Sequence, residues 1–432
     1  MNQKKSVAGA KAHQTGESHL LNFEKVSFRA VSNKPKATDE ELNSLYAKGE
    51  IRIVTEQARY PLAGILKMLK EEIDDGGGKR ELRYNLDPQY QRRHRWSIEK
   101  KSRLIESFLM NVPVPPVFLY ERDLARFEVM DGRQRLTALS DFYADRFELK
   151  GLQYWSDLDG RKYSELPTKV RDGIDRRYIS SIILLKETAT DEEKAVMLKK
   201  MVFERLNSGG VKLESQETRN AVYDGPLNQL CIKLSENEKF RRMWGIPLDP
   251  NPEEKDVDEE MDETIDESTK AGTQMFQKME DVELVLRFFA YRRIGEFKAG
   301  LNKISEFLDR FIVLGNKFSE DNLTEYRLMF EATVDFLWNV FEHEAFTVLD
   351  PSKRRRPTKI VYDPLMFAAN SPDVVPHRAN LIVNKAILRE ELKTMYEKNQ
   401  ELFAGRRTNF KDTQDRNLCV SESFAATIAK TK

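Results

Sequence analysis

Residues 126–139 read RFEVMDGRQRLTAL, and at the centre Asp131, Gly132, Arg133, Gln134 and Arg135 bring together a carboxylate, two guanidinium groups, a carboxamide and a flexible backbone position. Two arginines in the first turn of a helix oppose its macrodipole, which is positive at that end. An anion held by free backbone N–H groups and guanidinium forks reverses that penalty, and phosphate is the anion such a site fits. Gly132 permits a tight turn and close backbone approach, while Asp131 could order an arginine, hold a hydrated cation or cap the helix. The same five residues also describe a capped helix with a structural Asp–Arg pair, and alone they do not separate the two readings.

That junction needs a strand before it and a helix after it. FEVM at 127–130 and VFLYE at 117–121 flank a short polar turn and are predicted as neighbouring strands of one small sheet. Upstream, IRIVTE at 51–56 reads as a strand, and Pro61 opens a helix through Leu62, Ile65, Leu66 and Leu69. LRYNLDPQYQRRHRW holds an extended piece, and Ser97 then caps a helix whose buried stripe is Ile98, Leu104, Ile105, Phe108 and Leu109. YISSIILL at 178–185 is a further strand, and Thr190 with Glu193 makes a capping box for a helix that runs to Leu206 and stops at Asn207-Ser208-Gly209-Gly210. Beyond about residue 225 strand signals fade, and helical stripes recur in 282–294, 301–318, 325–343 and 384–398. The expected class is α+β, with a flexible tail over 1–41, an α/β domain over 42–225, and a helical domain over 226–432 that carries an acidic disordered loop at about 250–272.

At 432 residues, 40% hydrophobic and 33% charged, with a mean hydropathy of −0.61, the chain has the composition of a soluble globular protein of two or more domains. The sequence shows neither an apolar run of membrane-spanning length nor an apolar export segment, so a cytoplasmic location without membrane attachment is the expectation. Cys231 and Cys419 are too few for a disulfide scaffold and are expected as reduced, buried thiols. Lysine plus arginine equals aspartate plus glutamate at 71 each, which argues against a general nucleic-acid coat protein. The charge is nevertheless segregated. Residues 83–103 hold seven basic side chains against Asp87 and Glu99, a net of +5, whereas 253–267 hold ten acidic residues against Lys255.

Three segments form one constellation: Pro88-Gln89-Tyr90-Gln91-Arg92 with Trp96, then Asp131 to Arg135, then Glu204-Arg205-Leu206-Asn207-Ser208-Gly209-Gly210. Their order and spacing resemble the N-terminal domain family of GmrSD-type modification-dependent restriction endonucleases, whose motif is D-G-Q-Q-R and which belongs to the ParB/sulfiredoxin-like superfamily. The resemblance covers roughly residues 45–225 and extends more weakly through Asp281 to Phe288 and through 405–416. It implies a small mixed-sheet domain that binds and hydrolyses a nucleoside triphosphate in proteins that restrict invading or modified DNA. Asp131, Gly132, Gln134 and Arg135 match the motif, Gln91 and Arg92 match the family's Q-R pair, and Asn207, Gly209 and Gly210 match its N-S-G-G turn. Arg133 stands where glutamine is commoner, which adds charge and puts in doubt a water-orienting role at that position.

On these residues, Arg92, Arg133 and Arg135 could stabilise phosphate charge, Gln134 could place a water, and Asp131 could ligate Mg²⁺ through water. Asn207 and the glycines offer a backbone wall for ribose or phosphate, or a plain helix C-cap. Tyr90 and Trp96 read as base-stacking platforms or as packing, and His94 as a phosphate contact or a solvated side chain. Residues 344–432 contain only His377 and show no His-Asn-His nuclease pattern, so the leading expectation is a nucleotide-binding restriction or anti-phage protein that works with a separate nuclease. Two alternatives stand beside it. One is a ParB-like metal-dependent DNA nuclease; the other is a non-catalytic DNA-binding or assembly module in which Arg93, Arg95, Lys100 and Lys101 contact the phosphate backbone.

Overall fold

The computed structural model describes residues 37–48, 53–74, 78, 80–86, 96–186, 192–207, 215–248, 267–294, 304–349, 356–405 and 410–431. They fall into two compact units, one within Asn33–Gly225 plus Gln277–Met279, the other within Pro226–Phe276 and Glu280–Lys432. The first combines a mixed sheet with helices and the second is helical, so the chain is α+β.

In the first unit the chain order is α1 (Asp39–Lys48), β1 (Thr55–Pro61), α2 (Ile65–Leu69), β2 (Glu72–Asp74), β3 (Arg80–Leu82), β4 (Tyr84–Asn85), α3 (Ile98–Leu109), β5 (Val117–Asp123), β6 (Arg126–Asp131), α4 (Arg133–Tyr143), α5 (Thr168–Asp175), β7 (Tyr178–Leu184), α6 (Glu192–Asn207) and α7 (Ser215–Val222). Five strands form one sheet in the order β1-β7-β5-β6-β4, and β2 pairs with β3 as a separate ribbon. The expected hairpin of VFLYE and FEVM is present as antiparallel β5 and β6, and β7 lies antiparallel to β1 and parallel to β5. Against this sheet Leu62, Ile65, Ile105, Phe108, Leu136, Leu139 and Phe142 close a core that includes Val117, Leu119 and Val129. Ser97 caps α3 as expected, its hydroxyl accepting from the Lys100 N–H.

Some expectations need correction. Among the described residues the first strand begins at Thr55, beyond Ile53 and Val54, because its ladder with β7 runs from Thr55 opposite Leu184 to Pro61 opposite Tyr178; Ile51 and Arg52 lie outside the described residues. Pro61 then leads into a 3-10 turn at Leu62–Gly64 before α2. The helical unit comprises α8 (Pro226–Leu234), α9 (Glu238–Trp244), α10 (Glu267–Gln277), α11 (Glu280–Tyr291), α12 (Ile304–Gly315), α13 (Glu320–Phe341), α14 (Lys359–Ala369), α15 (Arg378–Val383), α16 (Lys385–Lys398) and α17 (Phe410–Lys430). α10 therefore occupies residues assigned from the sequence to the end of the acidic loop. Its Gly272 meets the Gly245 carbonyl so closely that a Cβ would lie 1.9 Å from that oxygen, a backbone-on-backbone contact that no larger residue allows. Residues 1–36 and 249–266, which hold most of the predicted tail and acidic loop, lie outside the described residues.

The helical core is aromatic. Phe240 and Phe288 each meet Phe330 edge-on, and Phe289 stacks on Tyr326 with ring centroids 4.3 Å apart. α11 and α14 are also joined by a buried ion pair in which Arg287 donates through Nε to Asp363 at 3.0 Å and through Nη2 to the other carboxylate oxygen. Cys231 is buried, as expected, and burial pushes its thiol pKa up; Cys419, also expected buried, is only partly so.

Candidate functional site

The strand–turn–helix junction takes the form its residues predict. β6 ends at Asp131, Gly132 adopts a left-handed φ of 96°, and α4 starts at Arg133. Only glycine fits there: a Cβ would sit 2.5 Å from Val117 Cγ1 and 2.9 Å from an Arg135 nitrogen. Gly132 is itself the N-cap and no side chain caps the helix, so Asp131 does not serve the capping role considered for it.

Asp131 instead orders an arginine. Arg135 donates through Nη2 to Asp131 Oδ2 at 2.8 Å and to the Pro116 carbonyl at 3.2 Å, tying the end of β6 to the chain that enters β5. The Arg135 side chain is 14% exposed and that of Asp131 44%, so one member of the pair is largely enclosed and the other faces solvent. This is the structural Asp–Arg pair, and it makes Arg135 a positioning group. Gln134 is likewise engaged, its Oε1 accepting the Trp96 N–H at 3.3 Å. Arg133, in the first turn of α4, is half-buried.

A register shift decides how Asp131 is presented. Leu119 pairs with Val129, but Phe118 pairs with Asp131, so β6 carries one extra residue, Met130. Simple alternation would put Asp131 on the face of Val129. The bulge places it instead on the face shared by Phe118, Tyr120 and Glu128, the re-aiming of a side chain for which bulges at strand ends are used.

Two further segments converge on this strand and helix. The Trp96–Gln134 bond sets the start of α3 beside the start of α4, with Lys100 Nζ lying 4.8 Å from the centre of the Trp96 ring. Trp96 also packs against the core, so of its two readings packing is the one observed. On the other face, α6 docks on β6 through Lys199, whose Nζ lies 2.9 Å from both Glu128 oxygens and 5.2 Å from the Tyr120 ring centre. Burial raises the Glu128 pKa; Lys199 draws it back in part and Asp224 adds to the rise.

Of the remaining expected site residues, Lys100 is exposed, whereas Lys101 forms an ion pair with Asp141 at 3.2 Å across α3 and α4, with side chains only 16% and 15% exposed. Lys101 thus joins two helices, and its charge is already answered inside the unit. Asn207 is the last residue of α6. Its side chain, Gly209, Gly210, and the whole of Gln91, Arg92, Arg93 and Arg95, with Tyr90 and His94, lie outside the described residues.

A comparison of the sequence with protein families matches residues 66–223 to the GmrSD restriction endonuclease N-terminal domain. The segment from α2 to α7 is a GmrSD N-terminal domain. No curated protein and no solved structure matches the chain. The match takes in the Asp-Gly-Arg-Gln-Arg junction, both ends of the Trp96–Gln134 bond and the helix that carries Lys199, and it makes this a restriction-related protein.

The Glu128–Lys199 pair has no local signature in the sequence, because its members are 71 residues apart. A second group outside the expected site is buried on α7 of the GmrSD domain, where Arg219 donates to Gln216 Oε1 and Gln216 donates through Nε2 to Asn220 Oδ1 at 2.6 Å. Their i, i+3, i+4 spacing shortly after the N-S-G-G turn was a usable signal.

Among the described residues no group of three or more His, Cys, Asp or Glu side chains stands together in a way that could hold a metal ion. A single half-exposed carboxylate with one oxygen held by an arginine does fit Mg²⁺, which binds through few protein ligands and keeps water and phosphate oxygens for the rest.

Proposed function

We propose that the GmrSD domain binds a nucleoside triphosphate at the mouth of α4 and hydrolyses it, and that the protein acts in restriction or anti-phage defence with a separate nuclease. The observation that supports this reading is the convergence on β6 and α4: the Trp96–Gln134 bond brings in the segment that follows the Q-R pair, and the Lys199–Glu128 pair docks the helix that leads to Asn207. The phosphates meet the N-terminus of α4, where N-cap Gly132 brings no side chain between helix and ligand, together with the Arg133 guanidinium. Arg135 holds Asp131 and the Pro116 carbonyl and acts through them. Asp131 holds Mg²⁺ when it is bound, and the ion supplies charge neutralisation for the phosphates.

Isothermal titration of the full chain with ATP, GTP, CTP and UTP, with and without Mg²⁺, tests this. At least one nucleotide binds in the presence of Mg²⁺. Arg133→Ala weakens that binding tenfold or more, while Arg135→Ala lowers both affinity and melting temperature. If all four nucleotides fail to bind, and DNA binds with an affinity that collapses between 50 and 200 mM salt, the unit is a DNA-binding module instead.

A further inference from the structure

One face of the five-stranded sheet is open beside Asp131. On β7, a strand paired on both sides, Ile179 and Ser181 are each 1% exposed, whereas Ser180 is exposed and Tyr178 is 57% exposed. Residues opposite one another across a ladder point to the same face, so the register carries this open face to the neighbouring strands. Tyr178 stands opposite Pro61, Ser180 opposite Arg59, and Ile182 opposite both Gln57 and Phe118. Phe118 in turn stands opposite Asp131. Asp131, Phe118, Ile182 and Gln57 thus form one row across four strands, about 14 Å from end to end at the usual strand spacing. Farther along, the same face is closed: Leu184 is buried, and Glu128 lies buried against Lys199 of α6.

A solvated sheet face is ordinarily polar, yet Phe118 and Ile182 stand on this one and are only half-buried. Arg59 is exposed, and its guanidinium has no hydrogen-bond or ion-pair partner among the described residues. Asp131, the other charged residue on the strands at this end, sits at the opposite side of the row and is held by Arg135. The row therefore runs from a carboxylate beside the mouth of α4, across two apolar side chains, to a set of unengaged donors. We propose that the nucleoside half of the bound triphosphate lies across this open face, with its base over Phe118 and Ile182 and its polar edge toward Ser180 and Arg59. A flat ring packs on such side chains whichever base it is, and the guanidinium and hydroxyl donate to ring carbonyl or ribose oxygens. This inference rests on the triphosphate reading and adds to it a subsite for base and sugar.

Titration of the full chain with inorganic tripolyphosphate beside ATP, GTP, CTP and UTP, all with Mg²⁺, separates this subsite from the phosphate position. The best-bound nucleotide exceeds tripolyphosphate at least tenfold in affinity. Ser180→Trp, which sets a bulky ring on the face, and Arg59→Met, at the sheet edge, each weaken that nucleotide fivefold or more. Both positions are exposed, so neither change disturbs the core, and each variant binds tripolyphosphate as the unaltered chain does. The inference is overturned, with the phosphate position left standing, if tripolyphosphate binds as tightly as every nucleotide or if both variants bind the nucleotide like the unaltered chain. It is overturned equally if the variants lose tripolyphosphate as much as nucleotide, because the face then holds phosphate. If neither tripolyphosphate nor any nucleotide binds, both readings fall.

Discussion

At residue scale the molecule turns on what each charged group of the Asp-Gly-Arg-Gln-Arg run already holds. Arg135 pairs with Asp131 at 2.8 Å, so the two arginines of the turn divide their duties: one secures the frame, and the other stands at the helix mouth. Gly132 makes that frame possible. Gly132→Ala forces a Cβ into Val117 at a backbone angle that side chains avoid, and it is expected to cost about 2 kcal/mol or more of stability. Urea unfolding followed by circular dichroism measures it, and a loss below about half a kcal/mol would show that the turn relaxes at no cost. The pairing of Asp131 with Arg135 was legible in the sequence because i, i+4 neighbours at a helix start can be read from spacing alone. Lys101 was not. Its partner Asp141 lies forty residues away on another helix, and nothing local distinguishes Lys101 from the exposed Lys100 beside it.

At the scale of elements, the β5–β6 hairpin, the Ser97 cap and most of the helix stripes were readable from period and capping chemistry, although Ile98 of the expected α3 stripe is exposed; the sheet order was not readable. Strand β4 spans only Tyr84 and Asn85, too short to show alternation. Helix α14, which is not among the expected stripes, carries Pro364 in its interior, a residue that weakens any helical signal. α10 was hidden at the edge of an acidic run because the contact that seats it, Gly272 on Gly245, belongs to tertiary structure. The docking of α6 on β6 offers a test at this scale. Lys199→Met leaves the buried Glu128 carboxylate alone and is expected to cost about 3–5 kcal/mol near pH 8. The folded pKa of Glu128 already stands above its unfolded value, so its favourable contribution is complete below the unfolded pKa and is lost as pH rises through the folded one. Removing Lys199 raises the folded pKa further. The deficit of the variant therefore shrinks as the pH falls from 8 towards 5, and replacing Glu128 with Leu in the same chain restores most of the loss. Urea denaturation at both pH values reads this out, and an equal deficit at both would mean that Glu128 is already neutral in the unaltered protein.

At the scale of the whole molecule, the two units rely on buried charge in opposite ways. Burial works against the charge of Arg287, but Asp363, Tyr291 and Glu283 more than offset it, so its pKa rises and the group stays cationic at any accessible pH. Asp363→Ala is accordingly expected to cost the helical unit about 3–5 kcal/mol with no recovery between pH 5 and pH 8, in contrast to the Glu128 pair. Thermal melts followed at 222 nm across that range decide it; a deficit that varies with pH would show Arg287 giving up its proton. No helix among the described residues is long and apolar enough to cross a membrane. One feature of the sheet bears on how the protein is made. β7 lies between β1 and β5 yet is the last strand to be synthesised among the described residues. A ribosome working at roughly 5–20 residues per second takes on the order of ten seconds to travel from the end of β1 to the start of β7. From the completion of β5 at Asp123 onward the nascent chain carries two open strand margins whose common partner has not yet been made, so products truncated before residue 178 should aggregate and chaperone supply should govern yield.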